Sequence, residues 1–508
     1  MPMHIMAVAQ HYGERRVPSP KLDEEENEEE LGFDESSNGL LMEDMDQQSY
    51  PSTKSSCEIL VLTISLAGLQ SAYCSQFADG TDFLLDIGIS PTVIASVWII
   101  PPLCGATLQP VFGILSDRLK EKVGRREPFV LVGGIGLLCA LLTQAWSSTI
   151  ADNLDGSCEG TWPACRTKVF VNVFAVVVLY ASAQSVQAGT RAKMIDECHV
   201  TQQLDVNAWA SRVISLTSVL YYVLSYGLTP LRTIELRMQE LALISGIIIV
   251  GAISIACVTG FQTPPPYPAS RALTTKNPLR NKSYVQQLKE TVTTRMTKIL
   301  AVQFLSSFAW FPYLFYISRY ITEKGHGEGN TAERLGPLAL FLQSVVHLTT
   351  SLVLPSLVSH TTDNTNSTTV AFNIPKLEPI RIWRLSLTLY SAFVAGILLT
   401  NSTAFMLALT AMTGFCWAVT QIIPYTMLTD EFILRKGGDH RRSSRSGLFL
   451  GINNLSLTIP QIIAGLICTT IFSTVSERHT NSLSDGMTRS LAAGSLVSLL
   501  ATVASFCI

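Results

Sequence analysis

The chain has 508 residues, 47% of them hydrophobic and only 15% charged, with a net charge of −3. So much apolar surface with so little charge argues against a string of soluble domains, a soluble enzyme or a nucleic-acid binder, and for a membrane protein. The charge is also unevenly placed: residues 1–55 carry 13 acidic and 4 basic side chains, a net of −9, which leaves +6 on the rest of the chain.

That acidic stretch, with DEEENEEE at Asp23 to Glu30, holds too few aromatic and apolar residues to offset the entropy of ordering, and it predicts a disordered cytoplasmic tail over 1–55. No apolar core followed by a small-residue cleavage site opens it, so the first membrane span is expected to target the chain. Beyond it, apolar stretches of roughly twenty residues recur about twelve times. They lie at 57–78, 91–115, 128–147, 168–190, 208–229, 241–261, 297–321, 334–357, 381–400, 402–427, 446–472 and 488–508. The fold class expected is therefore an all-α polytopic membrane protein with two six-helix halves, 56–261 and 297–508. A cytoplasmic linker, 262–296, divides them; it begins QTPPPYP and is rich in Lys and Arg.

Taken in order, span one holds Gln70, Tyr73 and Gln76, then Asp79, Thr81, Asp82 and Asp86 at its outer end. A short charged turn follows span two and contains Asp117, Arg118, Gly124, Arg125 and Arg126, a cytoplasmic composition by the positive-inside bias. Cys158 and Cys165 share a polar exterior loop where oxidation is permitted, so the pair could bridge or stay as thiols. The other cysteines mostly lie in or beside apolar runs as small core residues. Span four holds Gln184, Gln187 and Arg191 and ends at Asp196; span seven offers Gln303, Trp310 and Tyr316; span ten offers Trp417, Gln421 and Tyr425. The last cytoplasmic loop carries Arg435, Lys436, Arg441, Arg442 and Arg445, which again puts the N-terminus inside. A weak internal repeat supports the six-plus-six plan. MIDE at Met194 to Glu197 ends span four, LTDE at Leu428 to Glu431 ends span ten, and a Ser-Arg pair follows each, at Ser211 and at Ser444.

No metal-ligand cluster, phosphate-cradling loop or nucleophile motif stands at convincing spacing, so no cofactor, no metal and no enzyme activity are expected. What stands out is polarity inside the membrane, where it is costly and lines a pathway or pairs with itself. Amides and a guanidinium can satisfy hydroxyls, while Trp and Tyr faces cover the apolar face of a pyranose, which makes this an inventory for a sugar site. The candidate substrate-binding residues are Gln70, Gln76, Gln187, Arg191, Gln303, Trp310 and Trp417. Bland readings stand beside them: interhelical glue for the glutamines, interface packing for the tryptophans, snorkelling for Arg191.

Several blocks carry a family resemblance. Gly113-x-x-x-Asp117-Arg118 followed by Gly124-Arg125-Arg126 resembles the signature of the major facilitator superfamily. AGLQSAYCSQ at Ala67 to Gln76, VQAGTRAKMID at Val186 to Asp196, NAWASR at Asn207 to Arg212, VQFLSSFAWFPYLFY at Val302 to Tyr316, WAVTQIIPY at Trp417 to Tyr425 and LGINNLSLTIPQII at Leu450 to Ile463 resemble the sucrose and α-glucoside proton symporters within it, the fungal branch above all. The resemblance implies a sugar transporter working as a monomer by alternating access, with protons and the lipid bilayer as partners and no nucleic acid; the plasma membrane is expected ahead of the vacuole or another internal membrane, which the sequence leaves open. It implies substrate contact for Arg191, and gating by Asp117, Arg118, Gly124, Arg125 and Arg126 together with Asp196 and Asp430.

The same family places an acidic proton acceptor eleven positions before that arginine, and here the position is Tyr180. A phenol of pKa about 10 is no substitute for a carboxylate near neutral pH. Either the coupling site has moved, with Asp79 and Asp82 as candidates, or coupling is altered or lost; the bland alternative makes both aspartates an exposed helix end. Rival readings are a non-transporting sugar sensor and an uncoupled facilitator for another small polar solute.

Overall fold

Prolines and short polar side chains set where the helices begin. Pro91, Pro128 and Pro379 occupy first turns, where a missing N–H costs nothing. Ser55 and Glu58 form a capping box at the first helix, and Thr293 accepts from the Met296 N–H at 3.0 Å at the start of the seventh. Gly88, at φ 86°, makes the reversal between the first two spans in a conformation that other residues resist.

In this computed structural model the described residues are 53–118, 126–155, 166–262, 292–325, 330–358, 377–434, 446–477 and 482–508. Nearly all of the expected tail, most of the expected linker, Cys158, Cys165, Gly124 and Arg125 lie outside them.

Span one runs Ser56–Thr63, Ser65–Ser75, a π turn at Gln76–Gly80, and Thr81–Asp86; span two is Pro91–Val97 and Ile100–Arg118. Span three is Glu127–Ala145, span four Arg166–Glu197, span five Gln203–Leu228 and span six Ile234–Gln262. Thr294–Lys324, Leu335–Leu357, Pro379–Leu399, Thr403–Leu434, Ser446–Glu477 and Ser482–Ser505 are spans seven to twelve. Ten of these are long and apolar enough to cross a membrane, and the bent first helix makes an eleventh. Span five is the twelfth: its 26 residues reach about 39 Å, but buried Ser211, Ser215, Thr217, Ser218 and Ser225 dilute its apolar content. Among the described residues there are also two short α-helices, Ser147–Asp155 and Asn330–Glu333, and a 3-10 turn at Val200–Gln202.

Span one departs most from expectation, continuing as helix to Asp86 rather than ending near residue 78. It bends by 45° between Thr63 and Ser65, where the Thr63 hydroxyl donates back to the Ile59 carbonyl at 2.9 Å, a bond that tilts helices.

The packing repeats with an offset of six. Span three lies on four, two on four, one on six, three on six and one on five; nine likewise lies on ten, eight on ten, seven on twelve, nine on twelve and seven on eleven. Contacts between the two sets run through spans two and eleven, five and eight, four and eleven, five and ten, and one and seven. The approach of two to eleven needs a residue without a side chain. A Cβ on Gly105 would stand 2.5 Å from Thr458 Cγ2, and the Asn454 amide donates to the Gly105 carbonyl at 2.7 Å.

Candidate functional site

A cavity of about 210 Å³ lies between spans one, two, four, seven, ten and eleven, with Ile214 of span five also in its lining. Its lining follows from helical periodicity. Leu66, Gln70, Tyr73 and Phe77 on span one, Tyr180, Gln184, Gln187 and Arg191 on span four, and Gln303, Ser307, Trp310 and Leu314 on span seven share one spacing of four, three and four residues. Each set forms a single stripe down one face of its helix. Span ten supplies Trp417, Thr420, Gln421 and Tyr425, span eleven Asn454, Thr458 and Gln461, and span two Pro101 and Pro102. A smaller space of about 40 Å³ adjoins it, sharing Gln70, Phe77, Leu314 and Trp417 and reaching His347 on span eight.

Six of the seven expected substrate contacts therefore line one cavity: Gln70, Gln187, Arg191, Gln303, Trp310 and Trp417. Trp310 is buried and packs edge-on to Trp417 at 4.7 Å and against Tyr390 at 4.3 Å, which makes an aromatic wall rather than an interface belt. Gln70 donates to the Ser218 hydroxyl at 3.0 Å, and the Tyr73 hydroxyl donates to Gln187 at 3.4 Å. Gln76 stands elsewhere. It is wholly buried and exchanges hydrogen bonds with Gln144 of span three at 2.8 and 3.2 Å, so both ends of its amide are paired within the bundle. The stripe passes from Tyr73 to Phe77, and Gln76, one residue before Phe77, is turned about 100° to its side, where it meets span three.

Among the described residues Arg191 is the one charged side chain in the lining. It is 6% exposed, so it does not snorkel; its Nη1 donates to Asn207 Oδ1 at 3.2 Å and its guanidinium lies 4.5 Å from the centre of the Tyr425 ring. Tyr180 stacks on Tyr73 at 5.9 Å. Four buried polar atoms in this lining have no hydrogen-bond partner: the Tyr180 hydroxyl, Arg191 Nε, and both amide atoms of Gln303. Buried polar groups are nearly always satisfied, so unpaired ones on residues that line a cavity are groups that a polar ligand, with a small side-chain adjustment, would complete.

The acidic residues of span one lie outside the cavity. Asp79 is fully buried, not an exposed helix end; it pairs with Arg237 of span six at 3.0 Å and sits within 3.5 Å of the Tyr221 and Ser225 hydroxyls. Asp82 pairs with Arg319 of span seven at 3.2 Å, and Arg319 also holds Glu323 at 3.1 Å. Beside that ion pair the Thr81 hydroxyl donates to the Phe315 carbonyl at 3.0 Å and Ser318 donates to the Ala78 carbonyl at 3.3 Å, so spans one and seven are clasped at this end.

At the opposite end Arg126 grips Asp196 at 2.8 Å and touches the Ser116 hydroxyl, while Lys193 pairs with Glu127 at 3.0 Å. Asp430 is half-buried near the end of span ten, next to Glu431, which accepts from the Thr293 hydroxyl at 3.1 Å. Asp117 and Arg118 close the last turn of span two. No cluster among the described residues suits a metal ion.

Span eleven was missed as a contributor, although Asn454, Thr458 and Gln461 stand four and three apart inside an apolar run and so share a face. His347 was missed too. It bonds Ser211 of span five at 2.9 Å, a pairing across 136 residues that no local pattern signals.

The sequence profile of the Major Facilitator Superfamily matches residues 60–465. The chain is similar to the general alpha-glucoside permease of Schizosaccharomyces pombe, 25% identical over 91% of this chain and 96% of that one. It is also similar to sucrose transport protein SUT1 of Oryza sativa subsp. japonica, 24% identical over 80% and 81%. Among solved structures it superposes on a bacterial homologue of the iron transporter ferroportin in the outward-facing state, TM-score 0.57 at 15% identity, covering 88% of this chain and 98% of that one. The human organic anion transporter MFSD10 gives 0.55 at 12% identity, covering 89% and 100%. At these identities the structural likenesses speak for the fold alone.

Proposed function

We propose, from the premise that this chain belongs to the Major Facilitator Superfamily and so is a multi-pass membrane protein, that it carries an α-glucoside such as sucrose or maltose across a membrane by alternating access. The observation that carries this reading is the chemistry of the cavity: amides and one guanidinium with open hydrogen-bonding atoms, facing aromatic walls. Pyranose hydroxyls complete the open donors and acceptors, and the ring's C–H face lies on Trp310 and Trp417. The likeness to an α-glucoside permease and a sucrose transport protein supports the same substrate class.

In this reading the moving parts are two six-span halves, 56–261 and 297–508, working as one monomer with the N-terminus in the cytoplasm and the plasma membrane as the site. Asp82 and Arg319 clasp the outer end, while Arg126, Asp196 and the turn around Asp117 form the inner gate. Sugar binding draws the halves together on the ligand, and the two ends then open in alternation.

Protons drive the cycle through Asp82. No carboxylate lines the cavity among the described residues, and protonating Asp82 would neutralise one side of the ion pair that ties span one to span seven. The test is uptake of labelled sucrose and maltose into proteoliposomes with and without an inward proton gradient, beside Asp82→Asn. Gradient-driven accumulation in the native chain and gradient-independent flux in the variant are expected. Binding without flux would make the protein a sensor, and native flux indifferent to the gradient would make it a facilitator.

A further inference from the structure

Of the three buried arginines among the described residues, two meet a carboxylate: Arg126 meets Asp196 at 2.8 Å and Arg237 meets Asp79 at 3.0 Å. Arg191 meets none. Its neighbours are the neutral amide of Asn207 and the ring of Tyr425, its Nε has no partner, and it lines a cavity in which no other described residue is charged. A buried cation is costly without an anion, and a guanidinium presents a planar fork of donors that fits a carboxylate. Resting on the sugar-carrier reading, we infer that the missing anion belongs to the ligand: the cavity selects glycosides that bear a carboxylate, and Arg191 receives it.

The geometry leaves room for the rest of such a molecule. Tyr180, with its unpaired hydroxyl, stands eleven residues from Arg191 on the same helix face, about 16 Å along the axis, with the amides of Gln184 and Gln187 between them. A carboxylate at the Arg191 end therefore leaves the glycosyl part to Gln303 and the tryptophans. Asn207 lies behind the arginine, buried and outside the cavity lining, so Asn207→Asp would supply an internal anion at nearly constant shape.

The test is calorimetric titration of the purified full chain with maltobionate, an α-glucoside ending in a carboxylate, against maltose and sucrose. Maltobionate is expected to bind ~10-fold or more tighter than maltose, the scale of one charge-assisted contact. Asn207→Asp and Arg191→Gln should each bring that ratio to about one. The native ratio alone decides the matter should either variant fail to fold. Maltose or sucrose binding as tightly as maltobionate overturns the inference and leaves the sugar reading intact. Maltose affinity that rises with added acetate or chloride, with no advantage for maltobionate, overturns it in favour of a free anion. If none of the three sugars binds, both readings fall.

Discussion

Gln76 and Gln303 are both buried glutamines in apolar helices, and only their neighbours tell them apart. Gln76 is matched amide for amide by Gln144, whereas Gln303, a residue of the cavity lining, keeps both amide atoms unpaired. The two should respond oppositely to the same substitution. Gln76→Leu strands the Gln144 amide and should cost about 1–3 kcal/mol of stability, read as a lower melting temperature, with maltose affinity unchanged. Gln303→Leu should leave the melting temperature unchanged or raised and weaken maltose binding by about 1–2 kcal/mol. Tyr180→Phe removes a hydroxyl that has no partner in the protein, so stability should hold while maltose binding weakens by about 1 kcal/mol. The sequence made these side chains visible because polarity inside an apolar run is conspicuous. It could not separate a saturated pair from an open site, since the partner of Gln76 is 68 residues away.

Span one shows what an element adds to its residues. A boundary near residue 78 would leave Asp79 and Asp82 at a wet helix end; the π turn and the continued helix instead set Asp79 against span six and Asp82 against span seven. The Asp82–Arg319 pair is partly exposed and worth about 1 kcal/mol, enough to shift an open–closed balance several-fold. Asp82→Asn should accordingly raise labelling of the cavity by a reagent added from the outer side, and Asp82→Arg with Arg319→Asp should bring it back. Unchanged labelling in Asp82→Asn would show that the clasp does not hold that end. The close approach of spans two and eleven makes a separate claim: Gly105→Val would drive against Thr458 and should slow maltose exchange several-fold, with partial recovery on adding Thr458→Ala. Helix existence was legible from hydrophobic runs, and Pro91, Pro128 and Pro379 marked starts. The π turn was not, because it reflects packing against distant helices rather than any local pattern.

Across the whole molecule, the offset-six packing and the cavity enclosed by spans one, two, four, five, seven, ten and eleven belong together. Spans one and four have counterparts in seven and ten that close on the same space, and span five, which adds Ile214 to the lining, has its counterpart in eleven. The MIDE and LTDE repeat and the Lys and Arg bias anticipated an ordered helical bundle, because both are written locally in the chain. Which stripe of each helix would face the cavity depends on how the bundle assembles, and that is why span eleven escaped notice while spans one, four, seven and ten did not. Arg191 joins the three scales: a residue left without its counter-ion, on a stripe set by the helix, in a space made by the bundle.

Maltose counterflow tests the sugar-carrier account most directly, because it needs no assumption about coupling. Liposomes holding the full chain and preloaded with unlabelled maltose should show a transient overshoot of labelled maltose, and the overshoot should collapse in Gln303→Leu while the variant still folds. A flat trace from a folded native chain, or an overshoot that Gln303→Leu leaves untouched, would contradict sugar transport through this cavity.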